Sequence, residues 1–192
     1  GPELRLRAHD IRMRSIENLD ILLSVLVDGI RQRGGHIHFA HDGKTAVKHC
    51  LEIARKHNVK LAVKGKSMLT EEIGLNSAMN DAGIEIVETD LGEYIIQLAG
   101  EGPSHIIAPA IHKTKEQIGR LFQEKLGISY TDDIPTLTRA ARKALREKFL
   151  KADMGISGCN LACAGTGHIT TVSNEGNIRM ATTLPKVHIA FM

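Results

Sequence analysis

Between residues 11 and 33 the apolar positions Ile16, Leu19, Leu22, Leu23, Leu26, Val27 and Ile30 recur at helical spacing. The pattern predicts one amphipathic helix, ended by Gly34-Gly35. His36-Ile-His-Phe-Ala40 then alternates polar and apolar and predicts a strand, followed by a helix over 43–57. The alternation continues with a strand at Lys60-Leu-Ala-Val-Lys64 and a helix over 68–82 closed by Gly83. A strand at Ile84-Glu-Ile-Val87, a short helix over 91–98 and a strand at 105–108 come next. Helices are predicted over 113–126 and 136–151. After Gly155 the pattern turns to strands, at 157–163, 167–172, 178–182 and 187–191.

Strands separated by helices at these intervals predict an α/β fold with a mostly parallel, doubly wound sheet and helices on both faces. The tail adds a β-rich part, at least one pair of it antiparallel. No repeat or long linker interrupts the pattern, so residues 1–192 read as one domain. The Gly1-Pro2 start reads as a processing remnant and is set aside. The last strand runs to the end of the chain without a polar tail, which predicts a fragment of a longer protein. An open final strand also predicts self-association, hence a homo-oligomer.

Composition narrows the function classes. The chain is 42% hydrophobic and 24% charged, enough for a sizeable core. A net charge of +3, 3% aromatic residues and no Trp argue against nucleic-acid binding. No apolar run is long enough for a bilayer and no signal-peptide pattern is seen, so no membrane partner is predicted. Three cysteines, Cys50, Cys159 and Cys163, are too few for a disulfide scaffold and fit a reducing cytoplasm.

Several motifs invite chemistry. Gly65-Lys66-Ser67 follows a strand and opens a helix, but Lys60 stands where a phosphate loop needs glycine. A milder role survives: Ser67 caps a helix start, and Lys64 and Lys66 beside it attract an anion, or are simply solvated. Gly165-Thr-Gly167 fails the dinucleotide fingerprint, because Thr170 replaces the third glycine. Cys159 and Cys163 lack metal-ligand spacing, and no four-cysteine run exists to hold an iron–sulfur cluster. His36, His38 and His41 read as exposed edge histidines or a metal site; no metal is predicted. His105 and His112 flank a strand end, where α/β ligands bind. Asp90 and Glu93 either complement a helix dipole or face a cleft. The basic helix carrying Arg139, Arg142, Lys143 and Arg146 reads as solvated, or as docked to an acidic partner.

Longer stretches carry a resemblance. Val63-Lys-Gly-Lys-Ser-Met-Leu-Thr-Glu-Glu-Ile-Gly-Leu-Asn76, Glu88-Thr-Asp-Leu-Gly-Glu-Tyr-Ile-Ile-Gln97 and Pro103-Ser-His-Ile-Ile-Ala-Pro-Ala-Ile-His-Lys113 are three of them. Ala152-Asp-Met-Gly-Ile-Ser-Gly-Cys-Asn160, Ser173-Asn-Glu-Gly-Asn177 and Thr182-Thr-Leu-Pro-Lys186 complete the set. Together they resemble the lactate-utilization (LUD) domain family, from about residue 10 to the end. The resemblance implies a sheet fold like that of ribose-5-phosphate isomerase and the CoA transferases. It also implies a bacterial protein that oxidises L-lactate to pyruvate with partner lactate-utilization subunits. Four-iron clusters are implied in the full-length relative, on a cysteine segment that this chain lacks; the chain itself is expected to bind no cofactor. The family often places Glu in the turn that here reads Ala164-Gly-Thr-Gly167.

The expectation is a cleft for a small anionic ligand at the strand ends. Its lining is predicted from Lys64, Lys66, Ser67, Asn76, Glu93, His105, His112, Asn160, Thr166, Glu175 and Arg179. The alternatives are a non-catalytic scaffold and, by fold analogy, a transferase or isomerase.

Overall fold

In a computed structural model, residues 1–105 and 108–192 are described, so the strand expected over 105–108 falls partly outside the described residues. In chain order the elements are α1 (Pro2–Glu17), α2 (Leu19–Gln32), α3 (Gly43–Lys56), β1 (Leu61–Lys64), α4 (Met68–Glu72), α5 (Leu75–Asp81), β2 (Glu85–Glu88) and α6 (Leu91–Ala99). They continue with α7 (Lys115–Leu126), α8 (Ile134–Lys151), β3 (Met154–Gly158), β4 (Leu161–Cys163), β5 (His168–Thr170), α9 (Asn177–Thr183) and β6 (Val187–Phe191).

The chain gathers into two compact units. One comprises Gly1–Phe39 with Cys159–Thr170; the other comprises Ala40–Gly158 with Thr171–Met192. The larger unit holds a four-stranded sheet in the order β2-β1-β3-β6, every pairing parallel. Alternate strand residues feed two hydrophobic layers, as a pleated sheet demands. Leu61, Val63 and Val87 pack with Tyr94, Phe122, Leu137 and Phe149 of α6, α7 and α8. Ala62, Ile86, Met154 and Ile156 pack on the opposite face with Cys50 and Ala54 of α3 and Leu75 and Met79 of α5. The sheet is therefore covered by helices on both sides, as expected of parallel strands. The smaller unit holds α1, α2 and the antiparallel β4–β5 hairpin.

Four expectations are corrected. The single helix over 11–33 is two helices starting at Pro2, because the Asn18 side-chain amide donates to the Arg14 carbonyl (2.8 Å) and competes with the helical ladder. The strand at 36–40 does not form: Phe39 is exposed, so the alternation has no face to bury. The helix over 68–82 breaks at Gly74, whose φ of 67° lies in the left-handed region. The strand at 178–182 is helix α9, since Ile178 and Ala181, three apart, are buried while Met180 between them is exposed. A fifth span, 157–163, divides between the end of β3 and β4.

Candidate functional site

The carboxyl ends of β1 and β2 lie side by side, with Val63 beside Val87 and Lys64 beside Glu88. Each strand turns directly into a helix. Ser67 caps α4, accepting from the Thr70 N–H, and Asp90 stands at the cap of α6. Polar groups at these turns form two tiers.

The lower tier closes one hydrophobic layer. Lys64 is fully buried, and its Nζ lies 2.8 Å from Glu88 Oε1 and 3.2 Å from Thr70 Oγ1. The Asn76 amide donates to the same Glu88 oxygen at 2.6 Å. A buried charged pair survives only with such compensation, because desolvating both ions is expensive. Lys64 and Asn76, expected in the lining of a ligand cleft, both face Glu88, and neither borders the opening above. Ser67 is likewise engaged as a cap and buried.

The upper tier is open. A cleft of about 290 Å³ is bordered by Lys66, Asp90, Gly92, Glu93 and Glu175, with Ala108–Ile111 as one wall. Lys66 Nζ lies 2.6 Å from Glu93 Oε1; the lysine side chain is 26% exposed, against 0% for Lys64. Asp90 does not cap its own helix. Its carboxylate accepts from the Lys66 backbone N–H (2.7 Å) and the Asn177 amide (2.8 Å). Asn177 also donates to Thr89 Oγ1 (3.0 Å), whose hydroxyl donates to the Lys64 carbonyl (2.9 Å). These bonds tie β1, β2 and α9 into one rim. Gly155 lets α9 approach, because a Cβ there would overlap the Ala181 carbonyl oxygen.

Glu175 occupies the N-terminus of α6. Its carboxylate accepts from the Leu91 N–H at 3.1 and 3.4 Å. Although Glu175 is exposed as a residue, partial desolvation of its carboxyl against α6 raises its pKa above the ordinary carboxylate value, the Leu91 N–H opposes that, and Asp90 and Glu93 add to it. Glu71 is raised too, chiefly by burial, with Lys64 opposing and Glu88 and Glu93 reinforcing.

The other predicted residues have partners of their own. His112 bridges Ser104 Oγ (Nδ1, 2.7 Å) and Glu101 (Nε2, 2.8 Å), and Lys113 pairs with the same Glu101 at 2.7 Å. His105 Nδ1 accepts from the Ala108 N–H. Neither histidine lines the cleft, although Ala108–Ile111 between them supply one wall. Arg179 lies exposed on α9, its backbone carbonyl receiving the Thr182 and Thr183 hydroxyls. Asn160 and Thr166 belong to the hairpin of the smaller unit, where backbone bonds to Thr170 and Cys163 hold them. Thus, within the larger unit, Lys66, Glu93 and Glu175 border one cleft, and Lys64, Ser67, Asn76, His105, His112 and Arg179 do not.

Thr89, Glu88 and Asn177 were not anticipated. Asn177 was hidden by the strand expectation for 178–182; as the first residue of a helix it aims at Asp90. All three cysteines are free. Burial pushes the Cys50 thiol up to about 11, and the Thr166 hydroxyl and N–H beside exposed Cys163 lower its pKa. Among the described residues no group of three His, Cys, Asp or Glu could hold a metal, and no helix is long and apolar enough to cross a membrane.

Comparison with known proteins adds three findings. The family model of the LUD domain matches residues 23–192. The chain is 48% identical over 190 residues to the "Uncharacterized electron transport protein YkgF" of Escherichia coli (strain K12). It is 46% identical over 190 residues to "Lactate utilization protein B" of Bacillus cereus (strain AH820) and of Bacillus anthracis (strain A0248). Each alignment covers 99% of this chain and 40% of the relative, so the chain spans less than half the length of these relatives. No solved structure matches the chain.

Proposed function

Because the chain belongs to the LUD domain family, we propose that it serves as the ligand-binding domain of a longer bacterial lactate-utilization protein, with a small hydroxy or oxo acid held in the cleft beside Lys66. The observation that carries this reading is the partly exposed Lys66, paired with the buried carboxylate of Glu93 and standing next to Glu175. Lys66 is the one cation among the described residues lining the cleft, and it meets the ligand carboxylate. Glu93, already 2.6 Å from that lysine, accepts from the hydroxyl of a hydroxy acid.

Asp90, Glu93 and Glu175 would repel an anion if all stayed charged. Asp90 is compensated by two N–H donors and Glu93 by Lys66. Glu175 is the carboxylate that yields: its pKa is already raised, so protonation accompanies binding. Electron transfer is assigned to other parts of the longer protein. There the family resemblance leads us to expect four-iron clusters, with other lactate-utilization subunits as partners.

Titration calorimetry with L-lactate and pyruvate between pH 5 and 8 tests the reading. Affinity should rise as pH falls, by at most about tenfold per pH unit for one linked proton. Lys66→Ala should weaken binding by about tenfold or more. Glu175→Gln should flatten the pH dependence. No binding of either acid at any pH would refute the assignment. An assembly role, the competing reading, is favoured by a different feature, the exposed α1.

A further inference from the structure

Helix α1 has no buried residue, and Leu4, Leu6, Ile11, Met13 and Ile16 are all exposed on it. It also lies wholly outside residues 23–192, the part matched by the LUD family model. Its composition repeats every seven residues. Leu4 recurs as Ile11, Arg5 as Arg12, Arg7 as Arg14, Leu6 as Met13, and Glu3 as Asp10 and Glu17. On a helix this spacing draws Leu4, Ala8, Ile11 and Ser15 into one seam. Arg5 and Arg12 flank that seam on one side, and Arg7 and Arg14 on the other. The acidic column of Glu3, Asp10 and Glu17 lies next to Arg7 and Arg14, with Glu3 one turn from Arg7 and Asp10 one turn from Arg14, and Leu6 and Met13 fall on the far side.

A helix stabilises its exposed apolar seam by packing it, and the residues at its edges choose the partner. A second copy of α1 is a poor choice. Paired in parallel or antiparallel, the seam would set arginine against arginine along both edges. We propose that the Leu4–Ala8–Ile11 seam is a docking surface for a partner helix whose apolar stripe is edged by carboxylates. The four arginines steer that helix and set its register, while Leu4 and Ile11 supply the contact. The proposal concerns α1 alone and does not depend on the cleft.

Two synthetic helical peptides test it on the whole chain. Both carry Leu along one seam; one has Glu on both edges, the other Lys. Fluorescence anisotropy should show the Glu-edged peptide binding and the Lys-edged peptide not. Raising salt from about 0.05 to about 0.5 M should weaken binding strongly, because exposed charge pairs are screened. The quadruple Arg5→Glu, Arg7→Glu, Arg12→Glu, Arg14→Glu variant should lose on the order of tenfold for the Glu-edged peptide and gain the Lys-edged one. Ile11→Asp, at an exposed site, should abolish docking while circular dichroism stays unchanged. Equal binding of both peptides, or none of the Glu-edged one, overturns the proposal. So does self-association of the chain that Ile11→Asp removes, since that would make a second copy the occupant.

Discussion

Two lysines separated by one residue have opposite fates. Side chains alternate along a strand, so Lys64 points with Ala62 into the layer beneath α5, while Lys66, past the strand end, reaches the opening. Lys64 with Glu88 is a buried ion pair, and removing one partner leaves an uncompensated charge. Lys64→Met should destabilise the fold by about 3–5 kcal/mol. Lys64→Met with Glu88→Leu should recover most of that loss. Urea denaturation of the single and double variants reads the difference; equal losses in both would mean that the pair is not the cause. Glu175 gives the opposite kind of test. Its folded-state pKa is raised, so its contribution is fully present below the ordinary carboxylate pKa and is lost as pH rises through the folded value. Glu175→Gln removes that loss and keeps an acceptor for the Leu91 N–H. Thermal unfolding should therefore show the Gln variant gaining on the parent chain as pH rises from 4 to 8; a pH-independent gap would contradict the shift.

At the scale of elements, α9 decides whether the rim exists. Its close packing on β3 depends on Gly155, and its first residue, Asn177, bonds Asp90 and Thr89. Gly155→Ala should push α9 away and destabilise the protein by about 1–3 kcal/mol, measured by chemical denaturation. Gly165 is the contrasting case, since a Cβ there would meet nothing within 4 Å. Gly165→Glu, which places there the acid that the family resemblance leads us to expect in this turn, should change stability by no more than about 0.5 kcal/mol. Helices with strong caps were legible in the sequence: Asp42 accepts from Thr45, Thr114 and Gln117 form a capping box, and Asp133 accepts from Thr136. Period alone failed where only two positions decide it. Ile178 and Met180 alternate like a strand, yet Ile178 and Ala181 are the pair that α9 buries. The same limit hid the lower tier: nothing in Asn76 or Glu88 as letters says that they meet Lys64, because that meeting is made by pleat and register between β1 and β2.

Across the whole molecule, burial is unevenly shared between the two units. Among the described residues, every buried hydrophobic except Leu26 and Val27 belongs to the unit of Ala40–Gly158 and Thr171–Met192. The other unit carries most of its apolar side chains in the open, with Leu4, Ile11, Ile16, Ile21, Phe39 and Leu161 exposed. Apolar burial contributes about 25 cal/mol per Å² removed from water, so a unit that buries little has little to resist local opening. Hydrogen exchange should then divide along the same line. Amides of β1, β2, β3 and α8 should exchange only with global unfolding, while those of α1 and the β4–β5 hairpin exchange by local opening at much lower free energy. A helix-forming partner bound along α1 should slow exchange there and leave β1 unchanged. Equal protection of α1 and β1 in the isolated chain would show that α1 already has its cover, and would leave the arginine-edged seam with nothing to recruit.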